Sequence, residues 1–279
     1  MTAALRTPPA IARQFRKYAA IAVIDWQNEL AYRANSLIWI AWSILPSATM
    51  MLVWIAAYGR RERIGGMTLS EMITYYLFVT AMTIAITPNH EWETAMAIRE
   101  GHLTQYLVKP VDYFWFKAVC ETAYQAMKTM MGLPGLLLLA WLFREFVQLP
   151  RWSLVTGLGL AAACALSFAL LMCFKSALAY LAFWFGEIGG VLESFNLVMM
   201  FFAGRFVPLT ILPDWMRSVG DWLPFQWIYS FPLNLALGKV PDGQLVAGLL
   251  HQFAWLVAMY ALARFVWNRG LRVYEGFGG

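Results

Sequence analysis

Apolar residues follow one another along most of this chain in long runs, with few of the polar interruptions that mark the solvent face of a soluble helix. A helix needs about 20 predominantly apolar residues to cross the hydrocarbon core of a bilayer. The pattern therefore predicts an all-α polytopic membrane protein with six transmembrane helices, at residues 35–58, 69–87, 119–142, 153–174, 176–203 and 244–267.

The segments that flank or interrupt these runs have patterns of their own. Residues 1–34 place Arg13, Arg16 and Lys17 among apolar residues. This predicts an amphipathic helix in the cytoplasmic headgroup layer, and a simple juxtamembrane tail is the alternative. Residues 201–243 are apolar but contain repeated prolines, which forbid one straight helix. We expect short re-entrant or interfacial helices there, because irregular backbone at membrane depth must be covered by protein.

The polar stretch 88–112 separates the second and third predicted spans and divides into two short helices. In the first helix Asn89 is a plausible N-cap, Glu91 suits the positive first turn and Arg99 suits the last turn. Gly101 can end this helix in a left-handed conformation.

The second short helix, residues 102–108, carries Leu103, Tyr106 and Leu107 at positions i, i+3 and i+4, and these positions share one helix face. Pro110 ends it. An ordinary solvated loop helix would explain this pattern, and so would a docking helix for a partner protein.

The composition agrees with a membrane protein, because 61% of the residues are hydrophobic and only 13% are charged, against about 25% in soluble domains. The net charge of +5 needs no nucleic acid as partner, since inner membrane proteins accumulate Lys and Arg in their cytoplasmic segments. Neither the three cysteines nor the three histidines show the spacing of a metal site, so no metal is expected.

Charge also sets the expected orientation. An even number of spans places both termini on one side, and more Lys and Arg residues fall inside when that side is the cytoplasm. Residues 268–279 are then a cytoplasmic tail. The basic cluster at residues 60–63 favours the opposite orientation and is taken as an exception.

Four ionisable residues fall within the predicted spans, where a charge costs about 3 kcal/mol or more. They are Glu121, Lys128, Glu187 and Glu193. Lys128 can be neutralised by either Glu187 or Glu193 across the bundle. Alternatively, the glutamates line a pathway for an amphipathic or cationic aromatic compound.

Residues within 88–112 resemble a signature of the permease subunits of type-2 ATP-binding cassette (ABC) exporters. That signature, Glu-Gly-x-Leu followed by Leu-x-x-Pro, lies in the cytoplasmic loop between their second and third spans. It is matched here by Glu100, Gly101, Leu103, Leu107 and Pro110.

Two further segments are similar to the same family. Residues 204–225 resemble its re-entrant extracellular segment between the fifth and sixth spans through Gly204, Phe206, Pro208, Leu209, Pro213, Trp215, Leu223, Pro224 and Phe225. The tail 268–278 looks like the ending of a branch of small six-span permeases. Those permeases work beside a separate ATPase and often beside a second, related permease.

The resemblance implies a role for each segment. The residues implied to couple the chain to an ATPase are Trp92, Met96, Glu100, Gly101, His102, Leu103, Tyr106, Leu107, Lys109 and Pro110. The residues implied to form an extracellular gate are Gly204, Phe206, Pro208, Pro213, Trp215, Pro224 and Phe225. The chain has no GxxxxGK[ST] motif, so ATP and Mg²⁺ are expected on a partner ATPase dimer, and no catalytic residue is expected here.

The expected protein is thus a non-catalytic permease of the inner membrane, which pairs with a second permease and exports a hydrophobic or amphipathic compound. A membrane-embedded lipid-modifying enzyme is one rival, but it would show paired acidic residues or a His–acid pair to hold metal and phosphate. A secondary transporter or channel is the other rival, and it would show inverted repeats or a polar ring.

Overall fold

In the computed structural model residues 10–31 and 33–274 are described, and within these ranges every regular element is helical. In chain order the α-helices are α1 (Ala10–Ala31), α2 (Arg33–Tyr58), α3 (Leu69–Ile86), α4 (Glu91–Arg99), α5 (Thr104–Leu107), α6 (Tyr113–Leu142), α7 (Leu154–Ala179), α8 (Gly189–Phe202), α9 (Asp214–Asp221), α10 (Phe225–Ile228), α11 (Ser230–Ala236) and α12 (Asp242–Gly270). The start of the predicted segment 1–34 and the end of the predicted tail, residues 275–279, lie outside the described residues.

Four stretches are long and apolar enough to cross a membrane: Ile40–Tyr58 in α2, Leu69–Arg99 over α3 and α4, Leu154–Phe183 in and after α7, and Gly243–Gly270 in α12. At 30 residues α6 is also long enough, but charged side chains lower its hydropathy. The apolar α8 has 14 residues, fewer than a full crossing needs. These helices confirm the prediction of an all-α polytopic membrane protein.

The return between the fourth and fifth predicted spans differs from expectation. The sequence suggested a short return at Lys175, whereas α7 continues through this residue to Ala179 and a 3-10 turn follows over Tyr180–Phe183. Lys175 does not end the helix because its ammonium group has a buried carboxylate partner, described below. The return lies at residues 184–188, so the predicted span 176–203 is not one helix.

The most enclosed helix is α3. A capping box joins the side chains and backbones of Thr68 and Glu71 at its start, and most of its residues are buried on all sides, as expected for an all-round apolar helix at a core. Its tyrosines hold the chain that follows α8. The Tyr75 hydroxyl donates to the Gly204 carbonyl, and the Tyr76 hydroxyl donates to the Phe206 carbonyl at 2.6 Å.

The proline-containing segment 201–243 forms the predicted series of short helices. Pro213 and Pro224 precede α9 and α10, where proline suits a helix start. The segment enters the bundle deeply, because Phe225 packs on Phe174 of α7, one residue before Lys175, at 5.5 Å between ring centroids. It then returns to the start of α3, where Lys239 Nζ lies 3.1 Å from Glu71 Oε1. That this segment re-enters the membrane from the extracellular side stays a prediction.

At the N-terminal side, α1 packs along the first half of α6 rather than standing apart from the bundle. The side chains of Lys17 and Tyr18 line a cavity together with Asp112 and Trp115 at the start of α6. The described part of the predicted segment 1–34 is therefore helical, and its position in the headgroup layer stays a prediction.

Candidate functional site

The break between α3 and α4, residues 87–90, is surrounded by buried polar side chains, and we name it the elbow. Pro88 cannot continue the hydrogen-bond ladder, and the last carbonyls of a helix need other partners. Side chains from two neighbouring helices supply them. Gln125 Nε2 donates to the Thr87 carbonyl at 2.6 Å, and Lys175 Nζ donates to the Pro88 carbonyl at 2.6 Å.

Further contacts complete the elbow from the side of α6. The Asn89 amide donates to Glu121 Oε2 at 3.3 Å, and Lys128 Nζ donates to the Thr87 carbonyl at 3.3 Å. The Asn89 side chain does not cap α4 as predicted, because His90 takes the N-cap position without a side-chain cap. Glu121 and Lys128 therefore each contact a backbone group of the elbow and do not form an ion pair with each other.

A buried ion pair fastens the start of α4 to α7. Lys175 Nζ lies 2.6 Å from Glu91 Oε1, with side-chain exposures of 3% and 4%. Beside it, His90 Nε2 lies 2.8 Å from the Ser176 hydroxyl. Charges removed from water in this way need each other, because either one alone would remain buried without compensation.

A second ion pair fastens α4 to α6. Lys117 Nζ lies 2.6 Å from Glu93 Oε1, and the lysine side chain is 7% exposed while the glutamate is 68% exposed. One turn away, the Tyr113 hydroxyl donates to Thr94 Oγ1 at 3.4 Å. Helix α4 is thus joined by side chains to both neighbours, α6 and α7.

The elbow also touches the re-entrant segment. The Tyr229 hydroxyl lies 2.5 Å from Thr87 Oγ1, and both residues are buried. One hydrogen bond therefore connects the elbow to the segment that the sequence analysis assigned to the opposite face of the membrane.

The short helix α5 follows a turn at Gly101, whose φ of +77° is a conformation that glycine adopts without strain. Leu103 has no exposed surface and packs with Ile98, Tyr113 and Trp267. The sequence analysis placed Leu103 against a partner, but its apolar face is covered by the chain's own α6 and α12.

A different set of apolar residues remains exposed on α4 and α5. Trp92 is 40% exposed, Met96 48%, Leu107 42% and Val108 79%. The polar residues Glu100, His102 and Lys109 nearby in the sequence are at least partly exposed. Pro110 is also exposed, and Tyr106 is half-buried. We name Trp92, Met96, Leu107 and Val108 the coupling surface, after the role that the resemblance implies for this segment.

Of the ionisable residues predicted at membrane depth, Glu187 lies at the end of the bundle that carries the coupling surface. It is 73% exposed, and its Oε2 lies 2.9 Å from Arg99 Nη1 of α4. Its Oε1 accepts a hydrogen bond from the Gly189 amide at the start of α8, at 2.8 Å. Glu187 therefore does not neutralise Lys128.

Glu193 and Lys128 line one cavity of about 820 Å³ between α2, α3, α6 and α8. The residues that line it are Trp42, Ser43, Thr83, Thr87, Asn89, Glu91, Trp92, Lys128, Lys175, Glu193, Asn196, Leu197, Met199, Met200 and Arg205. We name this space the central cavity. Glu121 is not among its lining residues.

The predicted gate residues lie along the re-entrant segment and differ in exposure. Gly204 and Phe206 are held by the tyrosines of α3, while Pro208, Pro224 and Phe225 are buried. Pro213 and Trp215 are exposed, the latter at 67%. That these residues form an extracellular gate stays a prediction.

Sequence reasoning missed the residues that hold the elbow, above all Gln125, Lys175 and Tyr229. The available signal was an amide or a charge within an otherwise apolar helix, since such a group needs a partner when it is buried. The sequence does not specify that a helix break would provide that partner.

The apolar helices and the elbow between them define a multi-pass membrane protein whose helices are joined by buried polar contacts. The family model described as ABC-2 family transporter protein matches residues 44–278, and the chain belongs to this family. It is accordingly a permease component of an ABC transporter. No curated protein and no solved structure matches the chain.

Proposed function

We propose that this chain forms, with a second copy or a sister permease, an export pathway driven by a separate cytoplasmic ATPase dimer that binds the coupling surface. The observation that carries the proposal is the combination of two features in α4. Its outer face presents exposed apolar residues, and its inner face is fastened to α6 and α7 by the pairs Glu93–Lys117 and Glu91–Lys175.

This combination suits the transmission of force. A helix held only by loops would give way when pushed, whereas one joined to its neighbours by short ion pairs, of which Glu91–Lys175 is fully buried, moves with them as a rigid body. ATP-driven closure of the partner would displace α4, and the two ion pairs would carry that displacement to α6 and α7. The contact between Thr87 and Tyr229 extends the connection to the re-entrant segment.

ATP and Mg²⁺ would bind the partner, and this chain would hydrolyse nothing. The coupling surface would lie in the cytoplasm with both termini, in an inner membrane protein whose re-entrant segment faces outward. The substrate would be hydrophobic or amphipathic, which suits the mixture of apolar and charged side chains around the central cavity.

The test is co-purification and ATP hydrolysis of the permease with its ATPase when one exposed apolar residue is made acidic. Met96→Asp should weaken ATPase binding at least about tenfold, because a charge would replace apolar contact area in the interface. The matched control is Leu149→Asp, at a residue that is 63% exposed in the loop after α6.

The control should bind the ATPase as the native permease does. Equal binding by Met96→Asp and Leu149→Asp, in two variants that both remain folded in detergent, would contradict the proposal.

A further inference from the structure

The charges around the central cavity do not balance. Of its ionisable residues, Glu91 and Lys175 neutralise each other at 2.6 Å. Lys128, Arg205 and Glu193 remain, and among the side chains that the structure describes none of the three takes part in an ion pair. The side chains that line the cavity therefore carry one more positive charge than negative, while Glu121, two turns before Lys128 on α6, lies outside the lining and also acts on Lys128.

The described contacts of the two cations are to a carbonyl and to aromatic rings, and Glu121 acts on Lys128 from farther away. Lys128 is 2% exposed, and its ammonium group donates to the Thr87 carbonyl at 3.3 Å and lies 5.5 Å from the centre of the Tyr124 ring. The Arg205 guanidinium lies 5.9 Å from the centre of the Tyr229 ring. A carbonyl and aromatic faces orient a cation without neutralising it, so a charge-assisted contact with an anion between these groups would be favourable.

The position of the charges along the cavity is also asymmetric. Glu193 lies one turn from the start of α8, near the coupling surface, whereas Arg205 follows the end of the same helix. Apolar side chains of Trp42, Leu197 and Met200 form walls between them. An occupant with an apolar body and one negative group would place that group toward Arg205 and Lys128, away from Glu193.

We infer that the central cavity binds an amphipathic anion, with Lys128 and Arg205 as its charge partners. This inference rests on the proposed function and narrows its substrate class to compounds that join an apolar body to a carboxylate, phosphate or sulfate group. An anionic substrate differs from the cationic aromatic substrate considered in the sequence analysis. The residues expected to bind a cation, Glu187 and Glu193, do not line a common cavity.

The test uses the permease alone in phosphatidylcholine nanodiscs, so that it does not depend on the ATPase. Two photoreactive probes share a sixteen-carbon chain with one diazirine, and they end in a carboxylate or in a trimethylammonium group. Mass spectrometry compares adducts at Trp42 and Leu197 in the cavity with adducts at Leu158, which is 64% exposed on α7 and gives the bilayer background.

The carboxylate probe should label the cavity above background, and the trimethylammonium probe should not. Lys128→Gln and Arg205→Gln should each reduce cavity labelling about tenfold, since each removes one charge-assisted contact. Lys128→Arg should retain labelling, Glu193→Gln should increase it, and the control Arg144→Gln, at an exposed cation beside Trp141, should leave it unchanged.

Equal labelling by both probes, or native labelling in the folded Lys128→Gln and Arg205→Gln variants, would overturn the inference. Adding phosphatidylglycerol distinguishes the source of the anion. Competition by this lipid identifies a bilayer lipid as the occupant, and undiminished labelling identifies a free single-chain anion. Cavity labelling in a permease that binds no ATPase would leave the anion site standing and refute the proposed function.

Discussion

Replacement of Lys175 by methionine tests the elbow most severely. The ammonium group of Lys175 lies 2.6 Å from Glu91 Oε1 and 2.6 Å from the Pro88 carbonyl, and the side chain is 3% exposed. Lys175→Met keeps a long flexible chain but leaves Glu91 buried without its counter-charge. Breaking a buried pair from one side costs about 3–5 kcal/mol, so the free energy of unfolding should fall by that amount.

The chain offers a matched control in the pair Lys239–Glu71. This pair has a comparable distance of 3.1 Å, but both side chains are 34% exposed, and a solvated pair contributes about 0–1 kcal/mol. Lys239→Met should therefore lower the free energy of unfolding by no more than about 1 kcal/mol. Reversible unfolding in mixed micelles, followed by tryptophan fluorescence, measures both variants.

The double variant Glu91→Gln/Lys175→Met separates a lost attraction from a stranded charge. Because no charge then remains buried, the double variant should recover part of the stability that Lys175→Met loses. The reasoning would be refuted if Lys175→Met and Lys239→Met lost equal stability, or if the double variant were less stable than Lys175→Met alone.

Three further outcomes are expected. Leu103→Ala should cost about 2–5 kcal/mol of stability because the side chain is fully buried. Leu107→Ala, at a residue that is 42% exposed, should change the stability by less than about 0.5 kcal/mol. Equal losses in a denaturation titration would contradict the packing. Gly101→Ala should cost about 1–2 kcal/mol because φ is +77°. Gly157→Ala, inside α7 with open space at its Cβ, should instead stabilise the protein by about 0.5–1 kcal/mol in the same titration. Tyr229→Phe removes the hydroxyl near Thr87 and should lower the free energy of unfolding by about 1 kcal/mol. The variant should lower substrate-stimulated ATP hydrolysis of the complex far more than basal hydrolysis. An equal fall in both rates would argue against coupling through this contact.

Hydropathy alone predicted most of the fold, because the length of an apolar helix is set by the thickness of the bilayer. The same reasoning placed a return at Lys175, since a lysine in an apolar run usually signals the end of a span. In the structure its charge is neutralised by Glu91, which is far away in sequence. Such a partner is a tertiary contact, and hydropathy contains no information about it.

The two short helices within residues 88–112 were predicted from their polar composition and from the turn at Gly101, but the predicted N-cap Asn89 was wrong and their orientation was not predicted. The spacing of Leu103, Tyr106 and Leu107 predicts an apolar face without specifying what covers it. In the structure Leu103 is covered by α6 and α12, and Leu107 stays exposed. The predicted apolar residues that remain exposed are therefore Leu107 within the matched signature and Trp92 and Met96 before it.

Photocrosslinking from Trp92 tests the central claim most directly. A benzoylphenylalanine at Trp92, which is 40% exposed on α4, is compared with one at Trp222, which is 84% exposed at the end of α9. We predict that Trp92 crosslinks, in intact cells, to a protein that contains the GxxxxGK[ST] nucleotide-binding motif, and that Trp222 does not. The account would be contradicted if both positions, or Trp222 alone, crosslinked to such a protein. It would also be contradicted if Trp92 formed no such crosslink in an inserted and folded permease.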